Sequence, residues 1–183
     1  MPIVSFWSST KRETAQTLSM IAIACHMAVE NNTKILMVDT NFNDPTIKTA
    51  FFPEFDNSTK RAIKKLNAGK IDIGSGIEGL AKLLASGKNC GEVITDYSKV
   101  IYKGRLEAIL SYFSNDETEI ARIRQAYKDL IKQANQHYDY VFVDVPKGLD
   151  NSFTNEILNI SDVIVFNITQ RQRDIDDYLK IKT

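Results

Sequence analysis

The sequence predicts an α/β fold, a doubly wound, mostly parallel sheet with helices on both faces. Four short apolar segments read as strands buried on both faces: "PIVSFW" (2–7), "KILMVD" (34–39), "YDYVFVDV" (138–145) and "DVIVFNI" (162–168). Helical stretches separate them, and strands alternating with helices form a parallel sheet through right-handed crossovers. A chain of 183 residues, 43% hydrophobic and 25% charged, buries a full core without disulfides or metals, so 1–183 reads as one domain.

The first strand enters the turn of "SFWSSTKRETAQTLSMIAIA" (5–24), which is rich in Ser and Thr but has no glycine. In the helix that follows, Leu18, Ile21, Ala22, Cys25 and Ala28 share one face and Met20, Ile23, Ala24 and Met27 another. An apolar surface nearly all round predicts deep burial. Farther on, "GIEGLAKLLASGK" (76–88) reads as a short helix and "GRLEAIL" (104–110) as a further strand, with loops where Gly and Asn cluster near 67–76 and 87–91. Ile120, Ile123, Tyr127, Leu130, Ile131 and Ala134 form a one-sided stripe, which predicts a surface helix over 116–135.

With 23 basic and 23 acidic residues, the whole-chain charge calls for neither a polyanion nor a membrane surface. Cys25 and Cys90 match no metal or redox motif and read as reduced thiols; His26 and His137 stand alone and suggest no metal or nucleophile site. No secretory leader pattern and no apolar run long enough to span a bilayer is present, so a cytoplasmic location is expected.

Ligands of such sheets bind at the carboxyl ends of the strands, here just after Trp7, Val38 and Val143. "ILMVDTNFND" and "YDYVFVDVPKGLDN" each end an apolar strand in an aspartate, Asp39 and Asp144, which a parallel sheet brings to one edge. There a carboxylate either holds hydrated magnesium and orients water near a phosphate, or simply caps the next turn.

Strand, Ser/Thr turn and apolar helix, then "KILMVDTNFNDPTI", "HYDYVFVDVPKGLDN" and "SDVIVFNITQ", resemble in that order the ParA/MinD group of P-loop ATPases, with TadZ-like pilus-localisation proteins as a closer branch. The resemblance covers nearly the whole chain and implies a P-loop NTPase fold, ATP and magnesium between the faces of a homodimer, and a role in partition or in positioning cargo or a protein partner. It implies water positioning by Asp39, a water-mediated magnesium contact by Asp144, and the usual following glycine at Gly148.

The family's phosphate loop, KGGxGK[ST][ST], falls on Thr10 to Thr17, "TKRETAQT", where only Thr17 matches. Thr10 stands for the signature lysine that reaches across the dimer, Lys11, Arg12 and Thr14 for the glycines, Ala15 for the phosphate-binding lysine and Gln16 for the magnesium hydroxyl. Glycines let backbone N–H groups wrap phosphates, and the lysine neutralises their charge. A helix N-terminus still favours anions, so Lys11, Arg12, Thr14, Gln16 and Thr17 are the candidate nucleotide-binding residues.

Three readings stay open. The first is a positioning scaffold with a degenerate nucleotide site, a pseudo-ATPase acting by dimerising or docking; the second is an active ATPase with an unorthodox loop. The third is a partition protein riding on DNA through "TKRAIKKLNAGK" (59–70), where Lys60, Arg61, Lys64 and Lys65 would contact phosphates. Members of the group usually continue with strands that complete the sheet and the base pocket, whereas this sequence stops at Thr183; it reads as the N-terminal portion of a longer protein or as a shortened one. The closing "QRQRDIDDYLKIKT" lacks the long apolar face and basic border of a membrane-targeting helix.

Overall fold

A computed structural model describes residues 2–10, 14–42, 44, 46–52, 76–148 and 152–182. The expected strands form as β1 (Ile3–Trp7), β2 (Ile35–Asp39), β4 (Leu106–Ile109), β5 (Tyr140–Asp144) and β6 (Val163–Phe166). A strand not foreseen, β3 (Lys99–Tyr102), pairs antiparallel with β4 across a tight turn in which Gly104 has φ 76°. The sheet runs in the order β3-β4-β2-β5-β1-β6, and every pair except β3 with β4 is parallel. This is the doubly wound, mostly parallel α/β sheet that the sequence predicts.

One face carries α1 (Gln16–Glu30) and α2 (Thr46–Phe51), packed on Val4, Phe6, Ile35, Met37, Ala108 and Phe142. The other carries α3 (Ile77–Ala85), the short α4 (Ile94–Tyr97), α5 (Glu117–Ala134) and α6 (Ser152–Asn159), over Leu36, Val38, Ile109, Val141 and Val143. Successive strand residues face opposite sides, so β1, β2, β4 and β5 feed both cores, which is why they read as continuous apolar runs. The expected burial of β6 on both faces is corrected, since it is an edge strand with Val163 49% and Ile164 47% exposed. The stripe predicted for 116–135 is the buried face of α5, whose N-terminus is capped by Asp116 accepting from the Thr118 N–H at 2.9 Å. After β6, α7 (Gln172–Lys182) stacks Tyr178 on Phe166 with ring centroids 5.1 Å apart.

Burial of α1 on all sides is corrected. It meets the sheet through the narrow stripe Met20, Ala24 and Ala28, whose two alanines allow close approach, while Leu18 is 57% and Val29 61% exposed. One helical face can touch the sheet, and nothing among the described residues covers the opposite one. Apolar composition gave the helix but not its depth.

Among the described residues, no helix is long and apolar enough to cross a membrane. Cys25 and Cys90 are free thiols.

Candidate functional site

Parallel pairing fixes the two aspartates. Asp39 and Asp144 are register partners at the ends of β2 and β5, and Phe6 of β1 is opposite Asp144 on its other side. Both carboxylates are buried.

Asp144 is held by the start of α1. Gln16 donates from Nε2 to Asp144 Oδ1 at 2.6 Å and to the Val145 carbonyl at 2.8 Å, and Thr17 donates from Oγ1 to Asp144 Oδ2 at 2.7 Å. Burial pushes the Asp144 carboxyl up to about 6; these two hydrogen bonds and the Lys147 charge oppose the rise, and Asp44 adds to it. Asp39 is raised well above the usual carboxylate range by burial and by the Asp144 charge, against hydrogen bonds from Asn41. The backbone N–H and Nδ2 of Asn41 both reach Asp39 Oδ1, at 3.1 and 3.2 Å.

The turn between β1 and α1 is tied to its surroundings by side chains. Ser8 Oγ accepts from the Thr10 N–H at 3.2 Å, and Thr10 donates from Oγ1 to Asp174 of α7 at 3.0 Å. Thr169 holds the other oxygen of that carboxylate. Ala15 precedes α1 in the left-handed region, at φ 50°. Two buried oxygens at this helix start, Thr14 Oγ1 and Gln16 Oε1, have no hydrogen-bond partner among the described residues. Gly148, at φ 107°, braces the turn: its N–H donates to the Ser8 carbonyl at 3.0 Å and its carbonyl accepts from Trp7 Nε1 at 3.2 Å.

The helix start and the two strand-end carboxylates therefore form one buried polar cluster beneath the turn. A family model described as "AAA domain" matches residues 3–177. The chain belongs to that family. No curated protein sequence matches this AAA-domain chain significantly. The ParA family ATPase from Chlorobium tepidum TLS is 17% identical with a TM-score of 0.66, over 98% of this chain and 67% of that one. The kinase domain of the Escherichia coli tyrosine kinase ETK is 18% identical with a TM-score of 0.63, over 99% and 61%. The septum site-determining protein MinD of Pyrococcus horikoshii OT3, complexed with Mg-ADP, is 16% identical with a TM-score of 0.59, over 99% and 63%. The shared fold is that of the ParA/MinD-type P-loop ATPases, and the AAA-domain chain spans about two thirds of the length of these structures or somewhat less. A kinase domain among them is a reminder that the fold alone fixes no activity.

Of the residues that sequence reading singled out in this AAA-domain chain, Asp39, Asp144, Gln16 and Thr17 come together, and Thr14 lies buried two residues before Gln16. Lys11 and Arg12 lie outside the described residues, as do Lys60, Arg61, Lys64 and Lys65. Asn41 and Asp174 were not foreseen. An Asn two places after a strand-end aspartate is the available signal for the first, since such spacing suits an Asx-type turn. Asp174 has one local partner, Thr169, but its contact with Thr10, 164 residues away, has no local signal.

Proposed function

We propose that this chain is a ParA/MinD-fold scaffold, TadZ-like in role, that acts in positioning or partition by dimerising or docking onto a protein partner, and whose nucleotide site is degenerate. The observation that carries this reading is the Gln16–Asp144 contact. In the alignment with the family loop, Gln16 stands where a hydroxyl would meet magnesium; its amide instead occupies Oδ1 of the aspartate, and Thr17 takes Oδ2. A magnesium-bound water would have to compete with both donors for a carboxylate whose two oxygens are already hydrogen-bonded within the chain.

The phosphate side fits no better. The position of the phosphate-binding lysine is Ala15, and the orphaned buried oxygen of Gln16 is an acceptor, which repels a phosphate oxygen. Thr10, aligned with the lysine that crosses the dimer, is bonded to Asp174 of its own chain.

The test pairs a phosphate-release assay with sedimentation. The scaffold reading expects no ATP turnover above background and an association state that ATP with magnesium leaves unchanged. Turnover that disappears on Asp39→Ala would establish the active-ATPase alternative instead.

A further inference from the structure

The outer face of α1 is apolar and open. Leu18, Ala22, Cys25 and Val29 follow one another at spacings of four, three and four residues, which sets them in one stripe along the helix. Leu18 is 57% and Val29 61% exposed, Ala22 is exposed and Cys25 half-buried, and nothing among the described residues covers them. From Gln16 to Val29 the helix has no carboxylate, lysine or arginine. His26, seven residues after Ser19, lies on the side that faces β6, where Asn167 Nδ2 donates to Ser19 Oγ at 3.1 Å. A surface helix ordinarily turns charged residues outward, and an apolar patch left open on a folded chain marks a contact surface.

Two features suit this stripe to a second copy of the chain. Its order of large, small, small and large reads the same from either end. With two α1 helices antiparallel about a two-fold axis between Ala22 and Cys25, Leu18 meets the second copy's Val29, Ala22 meets its Cys25, and each contact occurs twice. The small residues fall at the crossing, where they let the helices approach closely. The helix ends are also uncompensated: α1 has no acid in its first turn and no base in its last. Antiparallel packing sets the positive end of each helix dipole beside the negative end of the other, and Glu30, the last residue of α1, comes opposite the first turn of the second copy.

We infer that this face is a homodimer contact, in which two α1 helices pack antiparallel through Leu18, Ala22, Cys25 and Val29. This rests on the dimerising half of the proposed function and names its surface. The contact lies on the outside of α1 and not at the strand ends, so it needs no nucleotide. ATP turnover would overturn the scaffold reading and leave this contact standing; a chain silent toward ATP but monomeric would do the reverse.

Sedimentation velocity without nucleotide, over a wide range of protein concentration, tests it on the natural chain, Leu18→Glu, Val29→Lys and the two changes combined. The natural chain is expected to shift from monomer toward dimer as concentration rises. Each single change sets a charge against an apolar side chain of the other copy and should weaken dimerisation roughly tenfold or more. The double variant brings two opposite-charge pairs together across the axis and should recover most of that loss. Within one chain the two positions are eleven residues apart on a helix and do not touch, so recovery reports pairing between copies. A thermal melt of each variant at dilute concentration separates loss of the contact from loss of the fold. A natural chain that stays monomeric throughout, a folded Leu18→Glu variant that dimerises as the parent does, or a double variant no better than the single ones overturns the inference.

Discussion

Gln16 Nε2 lies 2.6 Å from Asp144 Oδ1 and binds the next carbonyl as well, so the first residue of α1 seals the end of β5 with a neutral amide. A buried carboxylate here has exchanged water for two side-chain donors. Removing one of them should be costly: Gln16→Ala is expected to lower stability by about 1 to 3 kcal/mol, because Asp144 Oδ1 loses its donor while staying buried. Urea unfolding of the two proteins measures it, and a change below about 0.5 kcal/mol would mean that the contact does not hold the helix start.

The pH dependence has a definite sign. Asp144 titrates near 6 when folded against 3.8 as a free side chain, so the folded state binds more protons between those values and stability rises as pH falls through that window. Asp39 is shifted the same way. From pH 7 to pH 5, Asp144 alone should add on the order of 1 kcal/mol. Urea midpoints at the two pH values, compared with those of Asp144→Asn, isolate this part: the variant should gain less on acidification than the parent chain.

The far end of the sheet has its own buried acid. Glu107 of β4 accepts from the Tyr138 hydroxyl at 2.6 Å and from Ser98 at 2.9 Å. Tyr138→Phe should therefore destabilise by about 1 to 3 kcal/mol while leaving the fold intact, since the ring still fills its place and only the donor is lost. Combining it with Glu107→Gln should give less than the sum of the two single costs, because both changes touch one network. A double-mutant cycle in urea reads this out.

How much could be read in advance differs along the chain. The strands, α5, and the meeting of Asp39 with Asp144 were legible, because period and apolar runs report which residues face a core and parallel pairing places strand ends together. β3 was not: a four-residue edge strand, with Lys99, Val100 and Tyr102 exposed, buries too little to leave a strong pattern. α7 was hidden by its mixed charge. The depth of α1 was misread because apolar character on a helix states what can be buried, not how many neighbours arrive. The contacts of Gln16 with Asp144 and of Thr10 with Asp174 cross more than a hundred residues and have no local signature.

The corrected packing of α1 gives its own contrast. Met20→Ala should cost about 2 to 5 kcal/mol, since Met20 is fully buried against the sheet. Leu18→Glu, two residues earlier but 57% exposed, should change stability by no more than about 0.5 kcal/mol. Comparable costs for both would restore a helix buried all round.

The central claim is that the start of α1 is closed against nucleotide by its own side chains. Calorimetric titration with ATP and magnesium, on this chain and on a Gln16→Ser variant carrying the rest of the family loop in place of Thr10 to Ala15, tests it most directly. The account predicts no saturable heat for the natural sequence and magnesium-dependent binding for the rebuilt loop. Saturable, magnesium-dependent binding by the natural sequence that is lost on Asp144→Ala would contradict it and make "TKRETAQT" a working phosphate site.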